Sequence, residues 1–136
     1  CDAAVLRINP DKKIIEFSGA KLGLFRVNSQ GVLSRYSGAR CSLGYQESIL
    51  DKYRPYLHTI HYDADDVFVI TTDGLTDQIG GPDNRLSYGY RRLENILKSH
   101  CKSEAKDITE AIKNDFSAWQ GSNVRRDDVT VVVFKL

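Results

Sequence analysis

The sequence predicts an α+β domain in which antiparallel strands are followed by two helices. Three observations carry this reading. Short, turn-rich breaks separate the apolar stretches of the first third. Residues 67–72 form an apolar run without alternation, and residues 90–119 hold two segments with helical spacing. A chain of 136 residues is one compact domain or a piece of one.

The elements follow in order. Residues 3–8 form a short apolar strand, and Asn9-Pro10-Asp11-Lys12 is a turn. Residues 14–17 return, which makes a hairpin candidate. Residues 22–27 give a third strand, Asn28-Ser29-Gln30-Gly31 a second turn, and residues 32–36 a fourth strand. Because each turn is short, neighbours are expected to pair antiparallel. Residues 37–56 read as irregular. Residues 57–62 alternate and suggest an edge strand, with His58 and His61 as exposed strand positions rather than ligands. The run Val67-Phe68-Val69-Ile70-Thr71-Thr72 reads as a strand buried on both faces. Gly80, Gly81, Pro82, Asp83 and Asn84 mark residues 78–88 as a long loop. Leu93, Ile96 and Leu97 give one helix over 90–99. Ile108, Ile112, Phe116 and Trp119 give a second over 104–119, with Ser103 as N-cap and Gly121 as its stop. Residues 129–134 form the last strand.

Bulk properties exclude several classes. Nineteen basic and eighteen acidic residues leave a net charge of +1, with no polybasic tail to bind nucleic acid. No apolar run approaches the roughly 18 residues of a membrane span. Cys1, Cys41 and Cys101 are widely spaced and odd in number, which reads as reduced cysteines in a cytoplasmic setting. The chain starts Cys-Asp-Ala-Ala without an initiator methionine and runs straight into a strand. The expectation is that further residues of the same protein lie upstream.

Two acidic clusters abut strands. Thr71-Thr72-Asp73-Gly74-Leu75-Thr76-Asp77 follows the buried run, and Arg126-Asp127-Asp128-Val129-Thr130 precedes the last strand. If those strands are antiparallel in one sheet, Asp73 and Asp127 come to the same edge. Crowded carboxylates repel one another, and a divalent cation removes that penalty. Oxygen ligands favour magnesium or manganese over zinc. Gly74 permits a sharp turn and close backbone approach. Either cluster alone is a common turn or a charged lead-in to a strand.

Thr-Thr-Asp-Gly-Leu-Thr-Asp-Gln resembles the TDG signature of the PPM phosphatases, in their bacterial SpoIIE-type branch. Arg-Arg-Asp-Asp-Val-Thr-Val-Val-Val-Phe resembles that branch's closing DDxT strand. Phe17-Ser18-Gly19-Ala20 and Ser87-Tyr88-Gly89-Tyr90 fit at intermediate positions. The resemblance implies an αββα sandwich, of which this chain is the C-terminal portion, with two manganese or magnesium ions between the sheets. It implies Asp73 and Asp127 as metal ligands, Asp77 as a ligand of a third, weaker metal, and Gly74 and Asp128 as support. The nucleophile it implies is metal-bound water, so no side chain is nominated as catalytic. Arg40, Arg91 and Arg126 are candidates for the substrate phosphate.

The implied activity is hydrolysis of phosphoserine or phosphothreonine on a partner protein in bacterial signalling. A non-catalytic phosphoprotein-binding module and an unrelated α+β domain are the competing readings. Ser42-Leu43-Gly44-Tyr45 and the Thr-Asp-Gly-Leu-Thr-Asp-Gln-Ile-Gly-Gly stretch resemble a membrane-tethered subgroup with upstream HAMP segments. Its partner is a STAS-domain anti-sigma-factor antagonist, which makes the cytoplasmic side of an inner membrane an expected location. Open sheet edges allow a homodimer. The family's Gly-His-Gly turn and its bridging aspartate are missing from the sequence. Weak metal binding and little activity are therefore expected of these 136 residues alone.

Overall fold

The computed structural model describes residues 1–44, 56–82 and 85–136. Strands β1 (Ala3–Asn9) and β2 (Ile14–Ala20) pair antiparallel, and β5 (His58–His61) joins β2 at the far side. A second sheet has the order β4-β3-β6-β9, with β3 at Leu24–Val27, β4 at Leu33–Tyr36, β6 at Val67–Thr71 and β9 at Val131–Lys135. Helix α1 (Asp73–Thr76) follows β6, and α2 (Gly89–Ser99) and α3 (Ala105–Gln120) precede β9.

The apolar run at β6 behaves as its composition demands. Val67, Phe68 and Val69 are wholly buried, yet they face two different cores. Phe68 turns toward the three-stranded sheet, with Ile15, Phe17, Leu24 and Ile60. Val67 and Val69 turn toward the helices, with Leu93, Leu97, Ile108, Ile112 and Phe116. Each large side chain buried this way contributes about 1.5–3 kcal/mol. The result is a sheet–sheet–helix stack among the described residues, antiparallel in both sheets, as the α+β reading expected.

Three local expectations are corrected. The short turn after β2 does not make a hairpin with β3, because β3 lies in the other sheet. At that crossing Gly19 and Gly38 pack against the Leu22 carbonyl with no room for a Cβ. Residues 78–88 are not a plain loop: β7 (Ile79–Gly80) and β8 (Leu86–Ser87) form a small ribbon. Gly80 and Gly81 bring it hard against Trp119. Glu104, not Ser103, occupies the N-cap of α3, and no side chain caps that end. Gly121 ends the helix with a positive φ, as expected. Tyr45 and Asp83-Asn84, used in the sequence reading, lie outside the described residues.

Buried charge is paired away from the sequence-predicted site. Asp66 is 1% exposed and accepts hydrogen bonds from Arg26 Nε at 2.7 Å and from the Asp63 backbone N–H at 2.9 Å. Burial by itself would lower the Arg26 pKa, but the Asp66 carboxylate outweighs it and raises the value. Between α2 and α3, Arg92 donates to both oxygens of Asp115, at 2.6 and 2.8 Å. The Tyr88 hydroxyl is buried beside that pair without reaching hydrogen-bond geometry, and burial pushes its pKa well up.

Candidate metal centre

The antiparallel register of β6 and β9 sets Thr71 opposite Val131. The segments that continue past this pair therefore meet at one end of the sheet. Their threonines fasten them. The Thr72 backbone N–H donates to Thr130 O at 3.1 Å, and the Thr130 N–H donates to Thr72 Oγ1 at 3.0 Å. The Thr72 hydroxyl in turn donates to Asp128 O at 3.0 Å. Helix α1 starts against this seam. A Cβ on Gly74 would stand 2.3 Å from Asp128 O, so only glycine allows the approach.

Gln78 closes the arrangement from below, and the sequence reading missed it. It is completely buried. Its amide nitrogen donates to Ile79 O and Val124 O at 2.9 and 3.1 Å, and its Oε1 accepts from the Arg126 N–H at 3.2 Å. One buried amide thus ties the turn after α1 to the lead-in of Asp127. Its burial is tertiary and has no periodic signature.

The predicted acids distribute as follows. Asp73 opens α1, and Asp77 follows its last turn. Both are exposed and line an open cleft of about 810 Å3. Asp127 and Asp128 are exposed on the facing segment, where Asp127 Oδ1 accepts from the Asp128 N–H at 2.7 Å. The donor atoms are carboxylate oxygens, which suits magnesium or manganese. A hard cation of that kind takes about six oxygen ligands. Among the described residues no group of three His, Cys, Asp or Glu side chains converges to hold an ion. The donor chemistry therefore fits, and the ligand count leaves room for water or for residues beyond those described.

Of the predicted arginines, Arg40 lines the cleft. Arg91 is exposed on α2, and Arg126 is exposed with its backbone held by Gln78. The cleft also takes in Lys21 and Arg35, which the sequence reading did not single out. Arg35 lies 3.7 Å from the centroid of the Tyr90 ring. No helix among the described residues is long and apolar enough to cross a membrane, and all three cysteines are unpaired.

The model of the stage II sporulation protein E (SpoIIE) family matches residues 1–136. No curated protein matches the chain significantly. Among solved structures, the SiaA-PP2C domain of Pseudomonas aeruginosa superposes with a TM-score of 0.85 at 25% identity, over 99% of this chain and 51% of that one. The phosphatase domain of SpoIIE from Bacillus subtilis, presoaked with manganese, gives 0.73 at 12% identity, over 100% and 56%. RsbX in complex with magnesium gives 0.57 at 20% identity, over 97% and 54%. The chain thus spans about half the length of these structures.

Proposed function

The chain belongs to the SpoIIE family, and from that premise we propose that it supplies the C-terminal part of the metal centre of a protein serine/threonine phosphatase. The fold is that of PP2C-type phosphatase domains. The observation that carries the proposal is the seam between β6 and β9, which brings the backbones of Asp73 and Asp127 to one sheet end.

Two bound manganese or magnesium ions would neutralise phosphoryl charge and acidify a water at this site. The chain's own residues have distinct tasks. In this reading Asp73 and Asp127 supply carboxylate ligands, one from each of the two segments that the seam joins. In the same reading Asp77, which lines the cleft with Asp73, holds a further ion more loosely. Gly74 lets the two segments close. Asp128 accepts from Thr72 through its carbonyl, which fixes the backbone beside Asp127. Arg40 extends the cleft wall toward a substrate phosphate. The reading includes a phosphorylated regulatory protein as substrate, a STAS-domain anti-sigma-factor antagonist by the subgroup resemblance. A membrane-tethered parent protein and a homodimer belong to the same reading.

The test uses the full-length protein with manganese and a phosphoserine peptide. Asp73→Asn is expected to lower turnover by about 100-fold or more, since even residues behind metal ligands cost 10–100-fold. Unchanged turnover would remove Asp73 from the centre. A wild-type protein that binds the phosphopeptide without hydrolysing it would favour the binding-module reading.

A further inference from the structure

We infer that Lys21, Arg35 and Arg40 form a pre-built seat for the phosphoryl group of a phosphorylated protein segment, with Arg35 as its rigid element. This rests on the phosphatase reading and extends it to residues outside the metal centre. The three cations come from separate segments: the crossing after β2, strand β4, and the loop after β4. They share one cleft with Asp73 and Asp77. Its volume falls within the roughly 300–1,000 Å3 of ordinary ligand sites.

Two aromatic faces hold Arg35. Its guanidinium carbon lies 3.7 Å from the Tyr90 centroid and 5.3 Å from that of Phe25. Among the described residues it makes no ion pair, nor does Arg40. Stacking fixes the plane of a guanidinium while leaving its edge of N–H donors available, and that edge matches phosphate oxygens. If the cations served only to balance the cleft acids, direct pairs with Asp73 or Asp77 would be expected. A small cavity of about 20 Å3 lies between Arg35, Thr71 and Asp73. That is room for a single water-sized group.

The other two cations are set on stiff backbone. Lys21 has a φ of 61°, a left-handed conformation that a side chain other than glycine adopts only under strain. It is locked there: its N–H donates to Ala39 O at 2.7 Å, and the Ala39 N–H donates to Gly19 O at 2.7 Å. Gly19 and Gly38 make this crossing too tight for any side chain. Among the described residues its ion pair is with Asp2, at 4.0 Å and half exposed. The crossing therefore carries Lys21 and, one residue past Ala39, Arg40 to the same wall as Arg35. A dianionic phosphoryl group would sit between this basic wall and cations held at Asp73.

The experiment uses the full-length protein and a phosphoserine peptide. With manganese, Arg35→Ala is expected to raise KM about tenfold or more. In the same variant kcat shifts by less than about threefold, and manganese affinity and melting temperature hold. Arg35→Lys should recover only part of the loss, because the fork geometry is gone. Arg7→Ala, on the far sheet, is the control and should leave KM unchanged. A second arm works in EDTA, where anisotropy of the labelled peptide reads binding alone. There, phosphorylation-dependent binding should fall with Arg35→Ala. An unchanged KM, or losses of manganese affinity and stability in step with KM, would overturn the inference while leaving the phosphatase reading intact. Absent turnover with Arg35-dependent phosphopeptide binding would overturn only the enzyme reading. Absent turnover with no phosphorylation-dependent binding would overturn both.

Discussion

The two ends of the four-stranded sheet treat charge in opposite ways. Where β6 begins, Arg26 pairs with Asp66 at 2.6 Å and reaches Asp63 at 3.8 Å, and Lys135 reaches Asp65 and Glu104. Charges there are matched within the chain, and the central carboxylate is buried. Where β6 ends, Asp73, Asp77, Asp127 and Asp128 make no ion pair among the described residues, and neither do Arg35 and Arg40. The same sheet has the same strands at both ends, so the difference is not one of fold. Internal pairing serves stability, and unmatched charge of both signs at one end of a sheet is what an external cation and an external anion would use.

The sharpest way to break the contrast is at the paired end. Asp66→Ala leaves Arg26 half-buried without its main partner and should cost about 3 kcal/mol, read from urea denaturation. A cost below about 1 kcal/mol would mean that the pair is not holding that end. The helix layer offers an intermediate case. Burial alone would raise the Asp115 pKa, but hydrogen bonding to Arg92 and its charge hold it below the ordinary 3.8. A depressed folded pKa contributes stability fully above the unfolded value and loses it as pH falls through the folded one. Asp115→Asn should therefore cost about 1 kcal/mol at neutral pH. That cost should shrink below roughly pH 4, which chemical denaturation across pH would follow. The smallest effect belongs to the free end: without metal, Asp73→Asn should change stability by less than about 0.5 kcal/mol. A larger loss would show that Asp73 is a structural partner after all.

The parts of the molecule that were legible in the sequence are those that periodicity controls. The unbroken run at β6, the helical spacing of Leu93 with Leu97 and of Ile108 with Ile112 and Phe116, and the acids at two strand ends all follow from local pattern. What escaped depends on contacts between distant segments. A short turn after β2 suits a hairpin or a change of sheet equally, and the deciding contact is Gly19 against Leu22 and Gly38. Strands of two residues, as in the β7–β8 ribbon, are too short to show alternation. Arg35 sits on a strand with nothing to mark it until Tyr90, far along the chain, covers it. Gln78 looks like a turn residue until Val124 and Arg126 close over it.

Manganese affinity of the full-length protein, measured for the wild type, Asp73→Asn and Asp127→Asn, tests the shared centre most directly. Each single substitution is expected to weaken binding by at least about tenfold, and the two effects should be strongly non-additive, since both remove the same site. Unchanged affinity in either variant, or losses that simply add, would mean that the two aspartates do not serve one ion centre.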